Sequence, residues 1–373
     1  LPILANTIAD AFHGRDNNFN LIRFLAASAV LIDHGFWLVA PEQAAAAALD
    51  LRAYEIGRWA VDVFFIVSGF LVTRSVMTQP TLIDYGVARG LRLLPALIVV
   101  CFMLAFVLGP LVSLVSPQAY FADVRPWAYV PLTASLVTHT MTLPGVFDTV
   151  PDAGVVNAPL WTLRYEAFCY ALLALLAAAG LFWTRARSGL TLAAMFALYA
   201  FVTFATDWRE QSSALFSTLR FLLDFFLGGA LYVYADRIRL SLGVALALAG
   251  VAALTYATPL FEAAARIALA YAVIWVAFVP AGPIRAFNRV GDYSYGIYIM
   301  CFPILQTLVI LDPGLAPGAL LAISFPAVLA LAMLSWHFVE HPALRRKDWA
   351  GARVSAGLAA LRRKGLQPLI SRA

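Results

Sequence analysis

The sequence predicts an all-α, polytopic integral membrane protein with about ten transmembrane helices. Of its 373 residues, 62% are hydrophobic and only 13% are charged, about half the charged share of a typical soluble domain. The mean hydropathy is +0.82. Apolar stretches of about 20 residues, the length that a helix needs to cross the hydrocarbon core, recur along the chain. This composition excludes a soluble enzyme, a fibrous protein and a disordered chain.

Ten apolar stretches define the predicted helices. They run roughly over residues 21–40, 58–77, 91–116, 158–183, 189–206, 216–235, 240–257, 264–282, 293–311 and 318–338. The longest connection, 117–157, contains an apolar piece at 128–138 that is too short to span, which favours a re-entrant or interfacial segment. The sequence thus predicts a ten-helix transmembrane domain over 1–342 and a basic tail over 343–373.

The distribution of basic residues predicts the orientation. With the N-terminus in the cytoplasm, nineteen Lys and Arg residues fall on the cytoplasmic side and six on the outer side, as the positive-inside rule requires. An even number of helices then places both termini in the cytoplasm. The net charge of +5 is therefore mostly a topology signal, and the tail is expected to form a helix on the anionic lipid surface. Nucleic acid is not an expected partner.

The cysteines and the N-terminal residues add little to the functional picture. Cys101, Cys169 and Cys301 all lie in apolar stretches, which argues against a disulfide framework. The first 18 residues carry no cleavage signature, so no signal peptide is expected. No metal cofactor is expected either.

The first predicted helix carries a basic residue and a histidine on one face. Arg23 and His34 are 11 residues apart, which at 100° per residue is about 20° past three full turns, with a separation of about 16 Å along the axis. Arg23 lies near the cytoplasmic end and His34 near the outer end. Placing ionisable groups inside a bilayer costs free energy. Arg23 and His34 are therefore expected to have either a functional role or a polar partner in the structure.

Two layers of charge follow from the predicted depths. Asp62, Glu166 and Asp224 are expected near the level of His34, and Asp33 points about 100° away from it. The second layer, at the cytoplasmic helix ends, contains four arginines: Arg23, Arg74, Arg89 and Arg92. The three-residue spacing of the last two aims both guanidinium groups one way, as a phosphate clamp requires.

Each of these residues also has a structural interpretation. His34 can be an interhelical hydrogen-bonding group, and the arginine pair can contact lipid headgroups. Glu166 can be the ion-pair partner of Arg164 or Arg23. Asp62 and Asp224 can simply cross-link helices.

Six motifs in chain order resemble the acyltransferase-3 family of integral membrane acyltransferases, which O-acylate surface and secreted glycans. They are Arg23 followed after ten residues by His34, VDVFFIVSGFL at 61–71, Arg89-Gly-Leu-Arg92, WTLRYE at 161–166, GDYSYGIYI at 291–299, and Glu340-His-Pro342. The resemblance covers about residues 17–342. It implies a multi-pass enzyme of the bacterial inner membrane that takes an acyl group, most simply acetyl, from acetyl-CoA.

The resemblance also implies roles for individual residues. His34 corresponds to the family's catalytic base, with Glu166, or alternatively Asp62, expected to orient its ring. Arg23, Arg89 and Arg92 correspond to arginines of the family that are associated with the acyl donor, and these three are expected, together with Arg74 of the same charge layer, to bind the phosphates of acyl-CoA. Asp33, Trp161, Arg164 and Asp224 are candidate contacts for the acceptor, a glycan or lipid-linked saccharide. One departure is Cys301, which stands where many members have a second histidine.

Several alternatives stay open at this point. A transporter or flippase of a glycan or lipid-linked precursor also has many helices and buried charges, although inverted repeats are not visible here. The donor can be acetyl-CoA or another short acyl-CoA. The transfer can be direct or can pass through an acyl-histidine.

Overall fold

The computed structural model describes residues 7–14, 16–40, 56–79, 81–137, 142–182, 184–205 and 214–363. Arg15, Arg52 and Arg209, which contributed to the predicted orientation, lie outside the described residues, and so does the end of the predicted tail, 364–373. Within the described ranges the chain forms helices, turns and one isolated β-bridge, between Ser113 and Val146.

Ten helices correspond to the ten predicted stretches, and an eleventh lies in the tail. They are α1 (Phe19–Val39), α2 (Ile56–Thr78), α3 (Leu82–Met103), α4 (Leu163–Ala178), α5 (Arg185–Ala205), α6 (Ala214–Val233), α7 (Leu242–Leu254), α8 (Phe261–Phe278), α9 (Ser294–Leu311), α10 (Pro317–Ser335) and α11 (Lys347–Arg363). Over the described residues, nine helices are long and apolar enough to cross a membrane. The all-α polytopic fold is confirmed.

The seventh helix is shorter than predicted, but it still returns the chain across the helical layer. α7 has only 13 residues, about 20 Å of helix, whereas the prediction was 240–257. Asp62 of α2 contacts both Arg220 of α6 and Arg266 of α8, and each of the three lies six or seven residues into its helix. These three helices therefore begin on the same side, and the chain between α6 and α8 must return through α7.

The third helix begins nine residues earlier than the apolar stretch suggested. The side chain of Thr81 caps it by accepting a hydrogen bond from the backbone N–H of Asp84 at 3.1 Å. The added turns are stabilised by packing against α11, where Gly351 lies against the Asp84 carboxylate. Arg89 and Arg92 consequently lie within α3 rather than at its start.

The fourth helix begins inside the helical layer, after a non-helical segment that runs down the side of α9. The Gln306 side-chain amide donates to the carbonyl of Val155, Asn157 donates to that of Ile299 at 2.8 Å, and the Tyr298 hydroxyl donates to that of Pro159 at 3.0 Å. From Gln306 to Tyr298 is about 12 Å along a helix. Non-helical backbone at this depth is tolerated because it is buried against protein.

Two glycines allow α2 and α6 to cross closely. A Cβ added at Gly69 would overlap the backbone carbonyl of Phe225, and one added at Gly228 would overlap that of Ile66. Because the atoms in the way are backbone atoms, no side-chain rearrangement relieves the overlap. This crossing fixes α2, which carries cavity residues on its other face.

Replacing Gly228 by valine is therefore expected to prevent correct packing of α2 against α6. Purified in detergent, the variant should lose the monodisperse elution of the wild type in size-exclusion chromatography. Gly250→Ala on α7 is the matched control, because nothing lies within 4 Å of a Cβ added there. Equal behaviour of the two variants would contradict the close crossing.

Candidate functional site

A narrow cavity lies among α1, α2, α3, α4 and α9. Its volume is about 80 Å³, room for only a handful of waters at about 10–15 Å³ each. Its polar lining consists of Arg23, Ser68, Arg89, Arg92, Thr162, Glu166, Tyr170, Tyr295 and Tyr298. On α2 the lining extends from Val61 to Val72, which is about 16 Å along the helix. The cavity is therefore long and thin.

Arg23, Arg89 and Arg92 lie at one end of the cavity. We call the side of the helical layer on which they lie the arginine side. The side where α1 ends, beyond His34, is the histidine side. Arg23 and Arg92 both pair with Asp292, the latter at 2.7 Å, and Arg92 also lies 3.6 Å from Glu340. Both arginines are thus neutralised by carboxylates of the protein.

Asp292 precedes α9 and lies outside the membrane-spanning helices. Burial alone would raise the pKa of its carboxyl group, but the charges of Arg23 and Arg92 outweigh burial and lower the pKa to about 2. Asp292 therefore remains ionised at physiological pH and keeps both guanidinium groups in place.

Arg89 differs from the other two arginines. Over the described residues, no carboxylate lies within 4 Å of its guanidinium group, and its Nε atom is buried without a hydrogen-bond partner. The nearest aromatic contact is the ring of Tyr170, 5.9 Å from the guanidinium carbon. A partly buried cation without an anionic partner is costly, so this end of the cavity is suited to an anionic ligand.

Glu166 lies toward the arginine side, where its partners are other residues, so its expected role in orienting His34 stays a prediction. Its carboxylate accepts hydrogen bonds from the hydroxyls of Tyr170 and Ser68, the latter at 3.3 Å. Asp33 lies against Gly57, which sets His34 level with the start of α2, and Ser68 is about 16 Å further along that helix. The cause is the segment before α4, which already runs along α9, so that Ala158 lies inside the helical layer and not at its surface.

His34 is oriented by its own helix and by a neighbouring ring. Its Nδ1 lies 2.8 Å from the carbonyl oxygen of Val30; because a carbonyl only accepts, Nδ1 carries the proton. In the neutral ring, Nε2 therefore holds the lone pair. The ring of Phe302 packs edge-on to the imidazole, with the centroids 5.3 Å apart. The backbone carbonyl of Val30 thus fixes the tautomer.

The cavity ends about one helical turn from His34. Tyr298 lines its end, and Phe302, which contacts His34, is four residues further along α9, about 6 Å. The arginines therefore lie at one end of the cavity, and His34 lies about one helical turn beyond the other end; a donor that connects them stays a prediction.

Asp62 and Asp224 belong to a buried ion cluster. Asp62 lies 2.8 Å from Arg220 and 3.3 Å from Arg266, which in turn lies 2.7 Å from Asp224 and 3.2 Å from Glu262. Both aspartates are completely inaccessible to solvent. The expected roles, orienting His34 for Asp62 and contacting acceptor for Asp224, are not supported by these contacts, because the carboxylates face arginines of α6 and α8.

Replacing Asp62 by asparagine is expected to lower the free energy of unfolding by about 3–5 kcal/mol, because it leaves Arg220 and Arg266 partly uncompensated in the interior. Denaturant unfolding of the purified protein measures this effect. Asp236→Asn is the matched control, since Asp236 pairs with Arg185 at 2.7 Å with both side chains about half exposed, a pair expected to contribute about 0–1 kcal/mol. Equal destabilisation would contradict a stabilising role for the buried cluster.

The remaining predicted site residues lie away from the cavity lining. Arg74 is exposed, with its guanidinium carbon 4.7 Å from the centre of the Phe12 ring, so the expected donor contact is not seen. Arg164 donates to the Tyr165 hydroxyl at 2.8 Å, and Trp161 packs against Tyr165 and Phe221. Asp33 accepts a hydrogen bond from the backbone of Gly57. Their predicted acceptor contacts stay predictions.

Sequence reasoning gave no role to several residues of the site, among them Asp292, Ser68 and Tyr170. Asp292 lies within the quoted GDYSYGIYI segment, where an acidic residue before an apolar helix was the available signal. Ser68 and Tyr170 lie within spans and look like ordinary helix residues. Among the described residues, no three His, Cys, Asp or Glu side chains are grouped closely enough to hold a metal ion.

Comparison with known proteins gives one family and two relatives. A family profile described as an acyltransferase domain matches residues 16–337. The chain is 25% identical over 354 residues to a protein of Shigella phage Sf6 named O-acetyl transferase, covering 90% of this chain and 98% of that protein. It is 28% identical over 366 residues to Nodulation protein 10 of Rhizobium leguminosarum bv. viciae, covering 91% and 96%. No solved structure matches the chain.

Proposed function

The chain belongs to the acyltransferase-3 family, and on that premise we propose that it moves an acetyl group from cytoplasmic acetyl-CoA to a hydroxyl group of a cell-surface or secreted glycan. Membership makes it a membrane acyltransferase, and the name of the phage relative supports O-acetyl transfer. The identity of the acyl donor, the identity of the acceptor and the side of the membrane from which the donor binds are parts of the proposal.

The unpaired guanidinium group of Arg89 is the observation that carries the donor assignment. CoA is a phosphate-rich molecule, and arginine binds phosphate through several N–H donors at once. Arg23 and Arg92, held by Asp292, place two further cations at the same end. A cavity about 16 Å long and only a few waters in volume suits the slender, flexible pantetheine arm better than a saccharide ring.

Acetyl-CoA bound with its phosphates at the arginine side has its thioester directed toward His34. With the phosphates at Arg89, the arm extends along α2 past Ser68 and Glu166, whose polar groups can hydrogen-bond to its amides. The reactive end then lies near Val61 and Tyr298, about one helical turn from Phe302 and the imidazole. The aromatic side chains at that point exclude water from the reacting groups.

The chemistry then follows from the tautomer of His34. The acceptor hydroxyl gives its proton to Nε2 while its oxygen attacks the thioester carbonyl carbon. The carbon–sulfur bond breaks, and the CoA thiolate takes the proton from the imidazolium. An acyl group carried on Nε2 and then passed to the hydroxyl gives the same products. Val30 holds Nδ1–H in either case, as the third member of a catalytic triad does.

The acceptor is proposed to enter from the histidine side. His34 lies five residues from the end of α1 there, whereas the arginines lie at the opposite end. The excess of basic residues on the arginine side supports placing that side in the cytoplasm, in the inner membrane of a bacterium. A glycan or a lipid-linked saccharide is then acetylated within reach of the outer surface.

Incubation of the purified protein in lipid nanodiscs with acetyl-CoA labelled in the acetyl group tests this function. We expect release of CoA thiol, by slow hydrolysis alone and faster when glycan extracted from the host is added, with label recovered in the glycan. Absence of any thioester cleavage, together with saccharide-dependent flux across reconstituted vesicles, would contradict the proposal and favour a transporter.

A further inference from the structure

An aromatic pair lines the cavity within about one helical turn of the end that faces His34, which is marked on α2 by Val61. The rings of Phe64 on α2 and Tyr298 on α9 both line the cavity, and their centroids are 5.7 Å apart at an angle of 68°. Phe302, one turn beyond Tyr298, packs against the imidazole of His34. A ligand that enters from the arginine side therefore reaches Phe64 and Tyr298 before it reaches the histidine.

The tyrosine half of this pair is held firmly. Its hydroxyl lies 2.6 Å from Oγ1 of Thr162 and donates to the carbonyl oxygen of Pro159 at 3.0 Å. Both partners belong to the 3₁₀ turn Ala158–Thr162, from which α4 starts. Tyr298 is thus held by hydrogen bonds to the segment that leads into α4. The Phe64 ring has no polar group, so it can limit a ligand only by the space that it fills.

We infer that Phe64, backed by Tyr298, sets the length of the acyl group and restricts the donor to an acetyl-sized thioester. The inference rests on the proposed function, because the direction of the arm follows from phosphates bound at Arg89. On α2 the cavity extends for about 16 Å between Val72 and Val61, so an arm that runs along it from the arginine side passes Phe64 before it reaches Val61. Every acyl carbon beyond the thioester then meets the two rings.

The size of the effect follows from how apolar pockets discriminate chain length. One methylene group changes acceptance roughly 10- to 200-fold when the pocket leaves no room for it. Tyr298 moves only if its hydrogen bonds break, so removal of the Phe64 ring is the direct way to lengthen the cavity. Longer chains should gain affinity in such a variant, while acetyl-CoA should lose little.

Binding of acyl-CoA esters to the purified protein in nanodiscs tests the inference. The measurement uses a His34→Ala background, so that no turnover occurs, and compares acetyl-, butyryl- and hexanoyl-CoA by isothermal titration calorimetry. With Phe64 present, acetyl-CoA should bind at least ~10-fold tighter than hexanoyl-CoA. Phe64→Ala should reduce this preference to less than about 3-fold, through tighter binding of hexanoyl-CoA.

Two further variants keep the test decisive. Phe70→Ala lies on the same helix, is completely buried and does not line the cavity, so it should leave the preference unchanged. If Phe64→Ala does not fold, Phe64→Leu replaces it, with an expected shift toward butyryl-CoA.

The outcomes separate the inference from the function on which it rests. Binding of none of the esters, nor of free CoA, would overturn the proposed donor. Binding of acetyl-CoA with a chain-length preference that Phe64 substitutions do not change would overturn the inference alone, as would equal binding of all three esters to the protein with Phe64 intact.

Discussion

His34→Ala is expected to reduce acetyl transfer by at least ~10²–10⁴-fold, the usual contribution of a positioned general base. The loss should be larger if the acyl group passes through Nε2, because that route then disappears. The imidazole is held by the carbonyl of Val30 and the ring of Phe302, and it lies outside the arginine end of the cavity. The variant should therefore fold and bind acetyl-CoA as the wild type does.

The measurement compares transfer rates and donor affinity in the same preparation. His341→Ala is the control, because His341 is exposed and stacks on Trp336 on the arginine side; it should retain full activity. Substantial transfer by a folded His34→Ala protein would remove His34 from the mechanism, whereas loss of donor binding would show that its role is to hold the donor.

Arg89→Ala is expected to raise the KM for acetyl-CoA by about 10- to 100-fold with a much smaller change in kcat. A hydrogen bond to a charged group contributes about 1.5–3 kcal/mol, and a factor of ten corresponds to about 1.4 kcal/mol. Arg89→Lys should recover only part of the affinity, since a point charge lacks the planar set of donors that binds a phosphate.

A second arginine on the same side provides the control. Arg185 pairs with Asp236 at 2.7 Å and lies outside the cavity lining, so Arg185→Ala should leave the KM unchanged. Should Arg89→Ala leave the KM unchanged too, the arginine would be a lipid-headgroup contact and the donor assignment would lose its main support.

The sequence predicted the fold well because membrane crossing imposes a length and an apolarity that are visible in one chain. The stretches for α1, α2, α6 and α9 agree with the helices to within a few residues. α3 starts earlier than its apolar stretch because Thr81 caps it and α11 covers its first turns. A hydropathy profile contains no information on helix capping or on tertiary contacts of this kind.

The site was predicted in part. The spacing of Arg23 and His34 gave their separation along α1, because both residues lie in one regular helix. Glu166 lies deeper than predicted, since the prediction started its helix at the membrane surface, whereas the chain already runs along α9 before the 3₁₀ turn that leads into α4. Asp292 received no role, because pairing with Arg23 and Arg92 joins residues some 200 or more positions apart.

The surroundings of the two buried aspartates could not be predicted from the sequence either. Asp62 and Asp224 were expected near His34 because their depths within their helices are similar. Depth does not fix the direction in which a side chain points, and both carboxylates face Arg220 and Arg266 on the other side of α2. Their ion pairs hold α2, α6 and α8 together, which in turn positions the cavity face of α2.

The most direct test of the account is mass spectrometry of the host's surface glycan in cells with the wild-type protein, without it, and with His34→Ala. The account predicts acetyl groups on the glycan with the wild-type protein, and their absence in the other two strains although the variant is present in the membrane. Identical glycan spectra in all three strains would contradict the claim that this protein acetylates a surface glycan through His34.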